Sequence, residues 1–214
     1  MRVIAGEAKG RRLVVSGRGR TRAATERIRE ALFAILEPAL AGTRVLDLFA
    51  GAGTLGIEAL SRGALAATFV ERDAEAVRAL RKNLETTGFG SRATIVTADV
   101  IGFLDSRPRG PFDLAFCDPP FADVALAEAT LRHPALRAVL APDGLVVARA
   151  HRKHAPGVPA DARLVRLKQI GEESLLFLRY EARLEDAGRG GRGDNGGSER
   201  LRSTEEKTGS QTYG

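Results

Sequence analysis

The chain has 214 residues, 43% hydrophobic and 28% charged, with one cysteine. This fits one domain with a real core, and it excludes a disulfide scaffold, a Cys-based zinc cluster and a wholly disordered chain. The formal net charge of +6 is concentrated: residues 1–29 carry nine basic and two acidic side chains, residues 30–184 nineteen of each, and residues 185–214 five basic and six acidic.

No apolar run approaches the roughly 18 residues that span a bilayer. The N-terminus lacks the apolar block of a signal peptide, so a cytoplasmic protein with no membrane partner is expected. A dense positive segment on a charge-balanced body suggests contact with a polyanion, against the plainer reading of a solvated arm.

In chain order, Arg2-Val3-Ile4 and Arg12-Leu13-Val14-Val15 are β-prone runs around Gly6 and Gly10, and predict a hairpin. Ser16-Gly17-Arg18-Gly19-Arg20 reads as a flexible basic linker. Thr25 can cap a helix, since Ile28, Ala31, Leu32, Ile35, Leu36 and Ala39 follow at helical spacing, and Pro38 weakens its end.

From residue 44 a βα alternation begins. Strands are predicted at Arg44–Phe49, Ala67–Glu71, Ala93–Thr97, Phe112–Cys117 and Gly144–Ala150, with a closing pair at Arg163–Gln169 and Ser174–Tyr180. Helices are predicted near 54–62 and 73–86, and another stops near Pro142. This pattern predicts an α/β fold, a mostly parallel seven-stranded sheet covered by helices on both faces, with a small N-terminal hairpin and helix extension. Residues 1–25 read as a basic hairpin and arm, 26–184 as the domain, and 185–214, with eight glycines, as a disordered polar tail.

Ligands on such sheets bind beyond the carboxyl ends of the strands. The first strand ends at Asp47, and Gly51, Gly53 and Gly56 match GxGxxG, which lets backbone approach a ligand at a helix start. The plainer reading is tight strand–helix packing. Glu71 ends the second strand and suits a ribose diol, which both NAD and S-adenosylmethionine carry. Asp99 ends the third and suits an adenine amino group, a helix N-cap, or both.

Asp118-Pro119-Pro120-Phe121 is the most specific element. A carboxylate at Asp118 and a carbonyl at Pro119 offer two acceptors in a rigid frame, which matches the two donors of an exocyclic amine. Holding both donors aims the nitrogen lone pair at an electrophile. Phe121 gives a flat face for a base. Cys117 reads as a small buried hydrophobe rather than a nucleophile, and His151 and His154 lack a third metal ligand. Lys82 and Asn83 read as solvated, and Arg152 and Lys153 as additions to a basic rim.

Asp47-x-Phe49-x-Gly51-x-Gly53, Glu71, Asp99 and Asp118-Pro-Pro-Phe121 together resemble a Rossmann-like class I S-adenosylmethionine-dependent methyltransferase acting on an exocyclic amine. With MRVIAGEAKGRRL, Thr21 to Phe33 and LFAGAGTLGIEALSRGA added, residues 1–181 resemble the RsmD-type 16S rRNA guanine-N2 methyltransferases. Ala23, Glu26 and Ala52 depart from the family's commoner Pro, Asp and Ser.

The resemblance implies S-adenosylmethionine as cofactor and no metal. Asp47, Phe49, Gly51, Gly53, Glu71, Asp99 and Val100 would hold the cofactor, Asp118 and Pro119 the guanine amine, and Phe121 the base. Lys9, Arg11, Arg12, Arg18, Arg20 and Arg22 would grip RNA phosphates. The implied partner is 16S rRNA or the small subunit or its assembly intermediate, met by a monomer. Deleting residues 1–20 is then expected to weaken RNA binding and spare cofactor affinity. Adenine-N6 or cytosine-N4 methylation of DNA or RNA remains open, as do an NAD-dependent oxidoreductase and a non-catalytic RNA-binding module.

Overall fold

Seven strands form one sheet in the order β3-β2-β1-β4-β5-β7-β6. They are β1 (Arg44–Asp47), β2 (Ala66–Val70), β3 (Ala93–Val96), β4 (Phe112–Cys117), β5 (Leu140–His151), β6 (Ala162–Ile170) and β7 (Glu173–Tyr180). The first five run parallel, and β7 is antiparallel to both β5 and β6. The computed structural model describes residues 1–15, 25–120 and 123–181. The tail predicted from residue 185, Phe121, and the basic side chains Arg18, Arg20 and Arg22 lie outside these residues.

Alternation along the strands explains why both faces need helices. Val45, Phe69, Leu114 and Phe116 belong to one buried cluster, and their neighbours Leu46, Val70, Ala115 and Cys117 to the other. The first face is covered by α1 (Glu26–Leu36), α2 (Thr54–Ser61) and α3 (Ala74–Thr87). The second is covered by α4 (Val100–Asp105), α5 (Val124–Leu131) and α6 (Pro134–Val139). Thr25 caps α1, its hydroxyl accepting from the Ile28 N–H at 3.4 Å. Pro38 turns the end of that helix into a 3-10 turn at Glu37–Ala39. Among the described residues no helix is long and apolar enough to cross a membrane.

Two expectations change. The single helix expected before Pro142 is two, because Pro134 has no N–H to continue α5 and opens α6 instead, with His133 Nδ1 accepting from the Ala135 N–H. The strand that follows starts at Leu140, ahead of Pro142, and its register against β4 shifts between Phe112 and Leu114.

The second change concerns the N-terminus. The predicted hairpin is reduced to a single antiparallel bridge between Arg2 and Arg12. Its first 13 residues are no separate arm: Val3, Ala8 and Leu13 are buried in the same cluster as Ile28, Leu32 and Phe33 of α1. Burying a valine or leucine contributes roughly 1.5–3 kcal/mol. Glu58 of α2, fully buried, accepts from the Ile4 and Ala5 N–H groups and from Arg62 and Arg29. Ser61 accepts from the Ala8 N–H and donates to the Ala5 carbonyl. Met1–Glu181 accordingly forms one compact unit.

Candidate active site

The parallel strands stop along one edge, and the chain leaves each in a short polar turn. Asp47, Phe49, Gly51, Glu71, Asp99, Val100 and Asp118 all line a single cavity of about 370 Å³ at that edge. Parallel topology brings them together, since the carboxyl ends of β1 to β4 point the same way.

The three glycines of the first turn do different work. Gly51 has φ +54, and a Cβ there would meet no protein atom within 4 Å. It lines the cavity, so the turn presents bare backbone to whatever enters. A Cβ on Gly53 would lie 2.3 Å from Leu80 Cδ1, and one on Gly56 2.3 Å from the Phe69 ring. Those two glycines let α2 pack against α3 and β2.

Two carboxylates brace this turn. Glu71 Oε2 accepts from the Gly51 N–H at 2.8 Å, and Oε1 from the Asp73 N–H at 2.7 Å. Each carboxylate oxygen has a further lone pair, so Glu71 can still accept from a ligand. Asp47 Oδ2 accepts from the Gly56 N–H at 3.0 Å. Burial pushes the Asp47 carboxyl up to about 7; the Gly56 bond opposes this, and the charges of Asp118 and Glu71 add to it. Asp99 caps α4, its Oδ1 accepting from the Gly102 N–H at 2.9 Å, and it lines the cavity as well.

Asp118 follows β4 and meets Arg149 of β5 in a two-pronged ion pair. Arg149 Nε donates to Oδ1 at 2.7 Å and Nη2 to Oδ2 at 3.0 Å. Arg149 Nη1 donates to Glu173 of β7 at 2.8 Å. Arg149 is 5% exposed in this network, Asp118 11% and Glu173 18%. Burial pushes the Asp118 carboxyl above the usual range, Arg149 opposes that, and Glu173 adds to it. Pro119 is buried. Pro120, the second proline, lines the cavity instead, and its carbonyl accepts from the Asp123 N–H. Phe121 lies outside the described residues.

Two of these residues escaped the sequence reading. Arg149 is one; its signal was a lone cation in the apolar run of β5. Asn83, expected to be solvated, is fully buried. Its side chain accepts from the Val14 N–H and donates to the carbonyls of Val14 and Ala52. It thus ties the N-terminal segment to the glycine turn, and Val15 next along lines the cavity. Lys82 is exposed and pairs with Glu85.

Lys9, Arg11 and Arg12 are exposed and have no ion pair among the described residues. Arg29, counted in the basic excess, is instead buried against Glu58. Cys117 is buried, and burial, with Asp118 beside it, pushes its thiol up, away from nucleophile chemistry. The rings of His151 and His154 lie 5.5 Å apart, and no group of three metal-ligating side chains occurs among the described residues.

The model of the family described as Conserved hypothetical protein 95 matches residues 1–179. Ribosomal RNA small subunit methyltransferase D of Escherichia coli K12 is 36% identical over 183 residues, 85% of this chain and 91% of that protein. Its namesake in Haemophilus influenzae is 35% identical over 173 residues, 80% and 89% of the two chains. The solved structure of yhhF from Escherichia coli superposes with a TM-score of 0.75 at 35% identity, covering 86% of this chain and 99% of that one.

Proposed function

Since the chain belongs to the RsmD family of small-subunit ribosomal RNA methyltransferases, we infer that it methylates the exocyclic N2 of a guanine in 16S rRNA, with S-adenosylmethionine as methyl donor. One observation carries the reading. The cavity that the glycine turn leaves open also holds, in Asp118, an acceptor for an amine.

The residues present suit the cofactor. Bare backbone at Gly51 admits a close ligand, Glu71 keeps lone pairs for a ribose, and Asp99 with Val100 suits an adenine. Buried Asp47 suits a cationic group above the turn. When bound, S-adenosylmethionine supplies a sulfonium methyl that an amine lone pair takes, leaving S-adenosylhomocysteine and a proton.

The chain's own part is to hold the amine. Asp118 accepts from the amine at the cavity wall, which orients the nitrogen lone pair into the cavity. Pro119, expected from the sequence to be the second acceptor, is buried and does not line the cavity, where Pro120 stands instead. A guanine within a helix must leave its stack to enter, so a flipped or unpaired base is the substrate form. Lys9, Arg11 and Arg12 supply phosphate contacts that position the RNA, and the protein acts as a monomer.

The experiment is methylation, with labelled cofactor, of small-subunit particles and of free 16S rRNA from cells lacking this protein. Digested product should yield N2-methylguanosine. N6-methyladenosine or N4-methylcytidine would overturn the base assignment. Asp118→Ala should lower turnover at least about a hundredfold, with S-adenosylhomocysteine still bound. Full activity in that variant would remove Asp118 from the reaction.

A further inference from the structure

The amine acceptor is not a free carboxylate. Both Asp118 oxygens already accept from one guanidinium, and that guanidinium is itself held at its third nitrogen by Glu173. The three side chains come from three neighbouring strands or their ends. Parallel register sets Cys117 opposite Ala148, which puts Asp118 and Arg149 one step further along at the same level. Antiparallel register sets Arg149 opposite Leu175 and His151 opposite Glu173, so Glu173 reaches Arg149 from the far side.

We propose that Arg149 is a positioning residue for methyl transfer: its fork, anchored by Glu173, fixes the direction and the charge of the Asp118 carboxylate at the cavity wall. The proposal rests on the amine-methylation reading given above. Arg149 is 5% exposed, so it is not itself a contact for an RNA phosphate. Each Asp118 oxygen uses one lone pair on Arg149 and keeps one for an amine N–H. A protonated carboxyl would turn one of those acceptors into a donor, facing the amine donor to donor.

The charged and titratable groups around Asp118 set the balance. Arg149 faces it from β5, Glu173 from β7 and Asp47 from the end of β1, and Cys117 precedes it in the chain. Burial and the Glu173 charge favour the neutral acid, and Arg149 alone among these opposes them. Glu173 has the complementary task of keeping the guanidinium in the plane that serves both Asp118 oxygens.

The test uses the full chain labelled with 13C-aspartate, and reads the Asp118 carboxyl resonance, assigned with Asp118→Asn, as a function of pH. Arg149→Met should raise its titration midpoint by at least about one pH unit. Arg149→Lys keeps a charge but removes the fork, and should give a smaller rise. Turnover should fall about a hundredfold in Arg149→Met, with KM for RNA within about twofold. The acid limb of the kcat profile should move up together with the carboxyl midpoint. Binding of S-adenosylhomocysteine reports that each variant is folded. If Arg149→Met does not fold, Arg149→Lys decides alone.

An Asp118 midpoint unchanged in the folded variants overturns the proposal, and so does a defect confined to KM. Should the wild-type chain methylate no RNA, the functional reading fails, and the carboxyl titration still decides whether Arg149 governs Asp118.

Discussion

Asp47 is 1% exposed, and its carboxylate accepts from the Gly56 N–H. A carboxyl pushed by burial to about 7 makes stability depend on pH in a definite direction. The folded value lies above the ordinary carboxylate value. Its stabilising contribution is therefore fully present below about pH 4 and is lost as pH rises through about 7. Asp47→Asn keeps an oxygen for the Gly56 bond and removes the titration. Without ligand, the variant should match the wild type near pH 4 in urea denaturation and exceed it at pH 8 by on the order of 2–4 kcal/mol. A constant difference between the two proteins across that range would show that Asp47 titrates in the fold as it does in the unfolded chain, without the upward shift. Asp47, Glu71 and Asp118 were legible in the sequence because each ends or directly follows an apolar run that is a strand, and Asp99 because it stands three residues beyond one, at the start of a helix. Arg149 and Asn83 were not, because their partners come from 31 and 69 residues away in the chain. No local pattern encodes such pairings; only strand register and helix docking create them.

At the level of elements, the strands were legible for the same reason: buried parallel strands are continuous apolar runs. The docking of the N-terminal segment was not, since a charge count gives arginine one meaning whether it faces solvent or, like Arg29, a buried glutamate. Gly6 is the tightest point of that docking. It has φ +82, and a Cβ there would lie 1.8 Å from the Ser61 carbonyl oxygen. Gly6→Ala should therefore pull the segment off α2. The expected cost is on the order of 3 kcal/mol, with faster hydrogen exchange at Ile4, Ala5 and Ala8. Normal protection at those amides would mean that the backbone relaxes elsewhere. Deleting residues 1–20 should likewise weaken both stability and cofactor binding, because the deletion strips Glu58, Ser61 and Asn83 of hydrogen-bond partners together. That outcome replaces the expectation, drawn from charge alone, that cofactor affinity would survive.

For the whole molecule, the positive excess has to be divided between framework and surface. Arg29 is buried on Glu58, and Arg2 pairs with Glu26. Lys9, Arg11 and Arg12 remain exposed on the segment that Asn83 ties to the glycine turn, whose next residue, Val15, lines the cavity. A polyanion held there would be held beside the site that accepts its base, with phosphate pairing giving affinity and the cavity giving the choice of base. Replacing Lys9, Arg11 and Arg12 together by glutamine removes three charges without touching a buried group. For every phosphate no longer neutralised, the log–log dependence of RNA affinity on salt should flatten by about 0.7–0.9. With all three charges removed, the slope should fall by about 2–3. The affinity gap between variant and wild type should be widest at low salt and close as salt rises, because the missing term is counterion release. Binding of S-adenosylhomocysteine and the urea midpoint should stay at wild-type values, since the buried anchors of the segment are intact. A salt slope equal to that of the wild type would take these three side chains out of the RNA interface and leave them as solvated charges on a structural segment.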